Sequence, residues 1–192
     1  MPNQERRPRA FVSCSLRQED AQFVDMVVAI TRRFGFEPMG TVGKFAASPQ
    51  PIWEQMKAGI QAADCVVLAA TPRYLQQDLG DKEKTGKGIS EMLHVEVGMA
   101  VANNRPILAF ALEGTDMGTF LPQTVQFIPL RLNDINDLKS KWPMIGNYFR
   151  SAWAIIQNRW QEESKNDWLK LGGLMLGLIG AATVIDSIFE KK

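Results

Sequence analysis

The residue whose type and spacing most invite chemistry is Glu96. At about 100° per residue, a helix over residues 89–103 places Ile89, Met92, Leu93, Val97, Ala100 and Val101 on one apolar arc. Glu96 falls near the middle of that arc, whereas Glu91 points away from it, as a surface glutamate does. A carboxylate on a buried stripe carries a desolvation penalty of several kcal/mol unless it is paired or hydrogen-bonded. Burial also raises its pKa, a common tuning of catalytic carboxylates. Two readings follow: a catalytic carboxyl, or a carboxyl paired with a neighbouring Arg, Lys or backbone amide for structure alone. His94 lies roughly 160° around the helix from Glu96 and reads as a surface or edge histidine. One histidine and two well-separated cysteines, Cys14 and Cys65, do not make a zinc site, so no metal is expected. Each cysteine sits within an apolar run and fits a buried free thiol better than a disulfide.

The elements that must position Glu96 can be read from periodicity. A chain of 192 residues suffices for one domain with a full core and a short appendage. The formal net charge of +1 gives no global pull toward nucleic acid, and none is expected as a partner. Arg6, Arg7 and Arg9 form the basic cluster of the chain and read as a solvated arm over residues 1–9, with a binding patch as the alternative. Residues 1–9 are polar and contain proline, unlike a signal peptide, so a cytoplasmic location is the default expectation.

Strands are expected at residues 10–13, 36–39, 65–70, 106–112 and 126–132. Helices are expected from about residue 17 to Gly35, at 51–63, at 89–103, as a short piece at 134–142, and along the stripe Phe149, Trp153, Ile156 and Trp160. In the second helix Ile52, Met56, Gly59 and Ile60 should face the sheet. Residues 40–51 and the long polar stretch 71–88 read as loops. Strand and helix alternate throughout, which implies an open parallel five-stranded sheet of the flavodoxin-like kind, with helices on both faces. Ligands of such sheets bind beyond the carboxyl ends of the strands, at the topological switch point. The segments to watch are 13–17, 40–48, 71–88 and 113–119.

Three stretches resemble Toll/interleukin-1 receptor (TIR) domains. Phe11-Val-Ser-Cys-Ser15 resembles the first strand of that family; Ala63-Asp-Cys-Val-Val-Leu68 with Thr71-Pro-Arg-Tyr74 resembles its central strand and the turn after it; Ser90-Glu-Met-Leu-His-Val-Glu96 has the spacing of its Ser-x-Trp-x-x-x-Glu segment. Residues 94–100 and Arg105-Pro106 also resemble the nucleoside 2-deoxyribosyltransferases, relatives of the same architecture. The resemblance covers residues 10–132 in order, within a TIR-like domain taken as 10–163; Met92 stands where the family has tryptophan.

Both families act at the anomeric carbon of a ribosyl group through a helix-borne glutamate. The resemblance therefore implies an NAD nucleosidase of the hydrolase or cyclase type, with NAD as substrate rather than cofactor and with Glu96 catalytic. Ser13, Ser15 and Arg17 would line the cleft, with Thr71, Tyr74, Ser90 and Met92 around it. Phe45 and Trp53 would stack a nicotinamide or adenine ring, unless they are plain packing aromatics. It further implies activation by self-assembly into a homo-oligomer and a role in bacterial antiviral defence. The alternatives are a non-catalytic TIR-type interaction module and a nucleoside deoxyribosyltransferase or nucleotide hydrolase. Glu96 on the stripe favours the enzymes, and Met92 in place of tryptophan favours the last.

Residues 164–192 read as a C-terminal hydrophobic helix. Residues 171–185 carry no charge and include Gly173-Leu-Met-Leu-Gly177. A membrane-spanning helix needs about 20 apolar residues. The readings are a short membrane helix dimerising through small residues, with membrane contact through 168–189, a helix buried against the domain or another protomer, and a mobile tail.

Overall fold

The computed structural model of the chain describes residues 6–39, 49–77 and 85–189, with side chains described up to residue 165 apart from 76, 77 and 85. The elements are β1 (Arg9–Cys14), α1 (Ala21–Arg33), β2 (Glu37–Met39), α2 (Ile52–Ala62), β3 (Cys65–Ala70), β4 (Tyr74–Gln77), β5 (Thr85–Gly88), α3 (Glu91–Ala102), β6 (Ile107–Leu112), α4 (Phe120–Thr124), β7 (Phe127–Leu130) and α5 (Ile135–Phe189). The chain divides into two compact units, Met1–Trp153 and Ala154–Lys192. The sheet and its flanking layers belong to the first; the second carries the remainder of α5.

Five parallel strands form one sheet in the order β2-β1-β3-β6-β7, the flavodoxin-like arrangement. In β3 the run Cys-Val-Val-Leu-Ala-Ala is buried at every position, as a central parallel strand covered on both faces must be. Alternate side chains serve the two faces. Phe11, Val66, Leu68, Ala109 and Ala111 share one cluster with Ile60 of α2, Leu93 and Val97 of α3, and Leu121 of α4. On the opposite face Phe110 stacks on Phe149 of α5, and Phe149 on Phe34, just past α1. Tyr148 of α5 donates to the carbonyl of Ile107 and accepts from the amide of Ala109, which ties α5 to β6.

Helix ends follow local chemistry. Gly35 takes φ +82°, which stops α1 and turns the chain into β2. Ser90 caps α3, its hydroxyl accepting from the amide of Met92. Gly59 lets α2 approach the sheet closely: a Cβ there would stand 2.7 Å from the Phe11 ring.

Several expectations change. The stretch 71–88 is not a plain loop, because β4 and β5 pair antiparallel within it, Tyr74 opposite Gly88. Neither strand alternates apolar and polar residues. Tertiary hydrogen bonds hold them instead, from the Arg73 amide to Gly88 and from the Asp116 amide to Lys87. Ile52, expected to face the sheet, is 62% exposed, as the first residue of α2. Met92 and Val101 are also exposed, so the buried arc of α3 narrows to Leu93, Glu96, Val97 and Ala100. The break expected before Pro143 is absent, and α5 runs through it. Proline removes one helical hydrogen bond, but burial of Ile145, Phe149 and Ala152 beyond it holds the helix. Of the arm expected over residues 1–9, residues 6–9 are described: Arg9 opens β1, and Arg6 pairs with Asp64 at 3.6 Å.

Among the described residues no helix is long and apolar enough to cross a membrane. The side chains of residues 171–185, on which the membrane and packing readings turn, lie outside that description.

Candidate active site

The switch point of the sheet lies between β1 and β3, whose chains leave in opposite directions across it. At the carboxyl end of β1, Ser13 is fully buried beside α3. Its hydroxyl donates to Oε2 of Glu96, which is itself only 7% exposed. Burial pushes the Glu96 carboxyl up from 4.5 to about 7, and the Ser13 hydrogen bond opposes that rise. The carboxyl is not sealed, because Ser13 and Glu96 both line a cleft of about 390 Å³ that opens at this edge of the sheet.

The loop after β1 forms one wall. Arg17 donates through Nε and Nη2 to Oδ2 of the buried Asp20, both at 2.8 Å. A further bond from its Nη2 to the Pro72 carbonyl ties this loop to the chain leaving β3. Ser15 accepts from the Arg17 amide at 3.2 Å and so helps shape the turn. With Asp20 and Glu19 beside it, Arg17 is a brace more than a free cation. Arg73 also lines the cleft, and its guanidinium has no partner among the described residues. The amino end of α3 forms the other wall with Ser90, Met92 and Leu93. The helix dipole favours negative charge there, although the amides of Met92 and Leu93 are already taken by Ser90.

Of the residues expected at the site, Ser13, Ser15, Arg17, Thr71, Ser90 and Met92 line the cleft with Glu96. Trp53 and Tyr74 do not; both are about half exposed, on α2 and β4. Phe45 lies outside the described residues. Ile52, one turn before Met56 on the same side of α2, lines the cleft together with it. Arg73, Cys14 and Leu16 were missed by sequence reasoning. For Arg73 the signal was available: it stands three residues past a fully buried strand, where ligands of such sheets bind.

Among the described lining residues Glu96 is the one carboxylate, so a paired acid–nucleophile design of the two-carboxylate kind has no second partner there. A single buried carboxyl titrating near neutrality can steady a developing positive charge when ionised, or donate a proton when neutral. No cluster of three or more potential metal ligands occurs among the described residues.

No family profile and no curated protein matches the chain. Solved structures do. The CMP N-glycosidase BcmB of Clostridium botulinum aligns over 71% of this chain and 98% of its own, at 14% identity and a TM-score of 0.44. A 2-desoxiribosyltransferase from Leishmania mexicana aligns over 70% and 96%, at 11% identity and a TM-score of 0.40. A prokaryotic SEFIR domain aligns over 74% and 92%, at 18% identity and a TM-score of 0.40. A TIR-like domain and two nucleoside-directed enzymes thus stand among the structural neighbours of this chain.

Proposed function

We propose that this chain cleaves the N-glycosidic bond of a ribosyl nucleotide, and that the nucleotide is NAD. The observation that carries the proposal is Glu96: a buried carboxyl, held by Ser13, at the floor of an open cleft on the switch-point edge of the sheet. The TIR-like motifs around Ser13, Thr71 and Glu96 give the reading its choice of substrate.

In the proposed reaction the bond between the ribose anomeric carbon and the nicotinamide nitrogen breaks, and its electron pair leaves with the base. Nicotinamide departs neutral from a cationic ring, so it needs no proton. The ribose is left with oxocarbenium character, which ionised Glu96 stabilises at short range in a low-dielectric pocket. Water then attacks the anomeric carbon and loses its proton to Glu96 or to solvent, giving ADP-ribose. An internal nucleophile in place of water gives a cyclic product. Arg73 and the amino end of α3 supply positive potential for the diphosphate. Assembly into a homo-oligomer completes the proposal; activity per chain should then rise with protein concentration, followed beside light scattering.

The test is release of nicotinamide from NAD by the purified chain, compared with Glu96→Gln. Loss of turnover in a folded variant supports the assignment. Equal release by Glu96→Gln removes it, and no release by either leaves the non-catalytic interaction module as the reading.

One observation favours a second substrate. A carboxyl titrating at about 7 is substantially protonated at neutral pH and can serve as general acid. A neutral nucleoside base, unlike nicotinamide, needs such a proton to leave. Cleavage of a nucleoside monophosphate would therefore fall as pH rises through 7, whereas cleavage of NAD would rise.

A further inference from the structure

A second concave surface lies at the other edge of the sheet. β2 runs parallel to β1, with Glu37 opposite Arg9, so the residues just before Glu37 sit at the amino ends of the strands. The cleft holding Glu96 lies at the carboxyl ends. The two hollows share no lining residue.

This second hollow measures about 1390 Å³ and is rimmed by Arg6, Arg7, Arg32 and Arg150. Glu37 is the one acidic residue among them. In a chain of net charge +1 that is a marked local excess of positive charge. Part of it is already engaged, since Arg6 pairs with Asp64 and Arg150 donates to Asn147. The guanidinium groups of Arg7 and Arg32 have no partner among the described residues.

The floor is aromatic. Phe34 and Trp153 line it, each half buried. Phe34 lies 4.7 Å from Phe149 in a stacked pair, and Trp153 meets Phe36 edge-on at 5.9 Å. Rings fixed in this way keep a constant surface for a planar ligand, with little entropy left to lose. Guanidinium forks beside them match phosphate oxygens.

From the pairing of a cationic rim with an aromatic floor, we infer that this hollow is a second ligand site, and that it takes a nucleoside di- or triphosphate. The base lies against Trp153 or Phe34, and the phosphates reach Arg7, Arg32 and Arg150. The inference does not depend on the reaction assigned to Glu96, because binding is read without turnover.

The experiment is calorimetric titration of the full chain with ADP, inorganic pyrophosphate and adenosine, at low and high salt. The variant is Arg32→Glu with Arg150→Glu; both positions are exposed, so the fold should tolerate it. A second variant, Arg73→Glu, reports on nucleotide bound in the cleft of Glu96. ADP should bind the parent chain more tightly than pyrophosphate or adenosine, and more weakly as salt rises. The Arg32/Arg150 variant should lose roughly tenfold or more in ADP affinity, about one charge-assisted contact, while Arg73→Glu keeps this binding. ADP affinity unchanged to within about twofold in the Arg32/Arg150 variant overturns the inference. So does the absence of ADP binding to the parent chain. Pyrophosphate binding as tightly as ADP overturns the role of the aromatic floor.

Discussion

The Ser13 hydroxyl, at the carboxyl end of β1, donates to the carboxylate of Glu96 on the second turn of α3, across 83 positions of sequence. That bond opposes the effect of burial on the acid it holds. Ser13→Ala should therefore lift the Glu96 pKa above about 7. For cleavage of NAD, which needs the ionised acid, the rising limb of the pH–rate profile should move to higher pH. The check is kcat/KM for nicotinamide release between pH 6 and 9, and an unmoved limb would count against the coupling.

The same titration sets a stability profile. The folded chain holds a proton on Glu96 up to about pH 7, whereas an unfolded glutamate releases it near 4.5. Stability from this proton is complete below 4.5 and declines as pH rises through 7, by about 3 kcal/mol in all. Glu96→Gln cannot ionise. Thermal melts should show it gaining on the parent chain between pH 5 and 8, by several degrees at the upper end.

Arg73 should act through binding more than through chemistry. It lines the cleft without a protein partner among the described residues, and the proposed function assigns it to the diphosphate rather than to the scissile bond. Arg73→Ala should raise KM for NAD by roughly tenfold with kcat within a few-fold of the parent chain. Steady-state kinetics would show the split. A collapse of kcat with KM unchanged would place this arginine in the transition state instead.

Gly59 offers a test of the packing that brings α2 down onto the sheet. Alanine there gains about 1 kcal/mol of helix propensity but drives a methyl group into the Phe11 ring, with 2.7 Å where van der Waals contact needs more. Phe11 is fully buried, so its ring can shift only by displacing other core side chains. A net destabilisation of about 1–2 kcal/mol is expected, read from urea unfolding.

Much of this protein was legible before any coordinates. Periodicity located all five strands of the main sheet, and the alternation of strand and helix implied its parallel pairing. Glu96 announced itself because a carboxylate interrupts an apolar arc, and it is indeed buried there. Patterns of this kind are local: they record which side of an element meets water, and each residue carries that preference in its own chemistry.

What stayed hidden depends on distance between parts of the chain. The β4–β5 hairpin has no strand-like pattern and exists through its bonds to neighbours such as Asp116. The short helical piece expected at 134–142 continues through Pro143, and burial of Ile145 and Phe149 holds α5 beyond it. Trp53 and Ile52 are adjacent on α2, yet of the two Ile52 alone lines the cleft, one turn before Met56, which lines it as well. Composition and spacing determined the layers and the odd carboxyl among them. Only the folded chain decided that Ser13 meets that carboxyl and that four arginines gather around an aromatic floor at the opposite edge. Those are contacts between residues far apart in sequence, and no local preference encodes them.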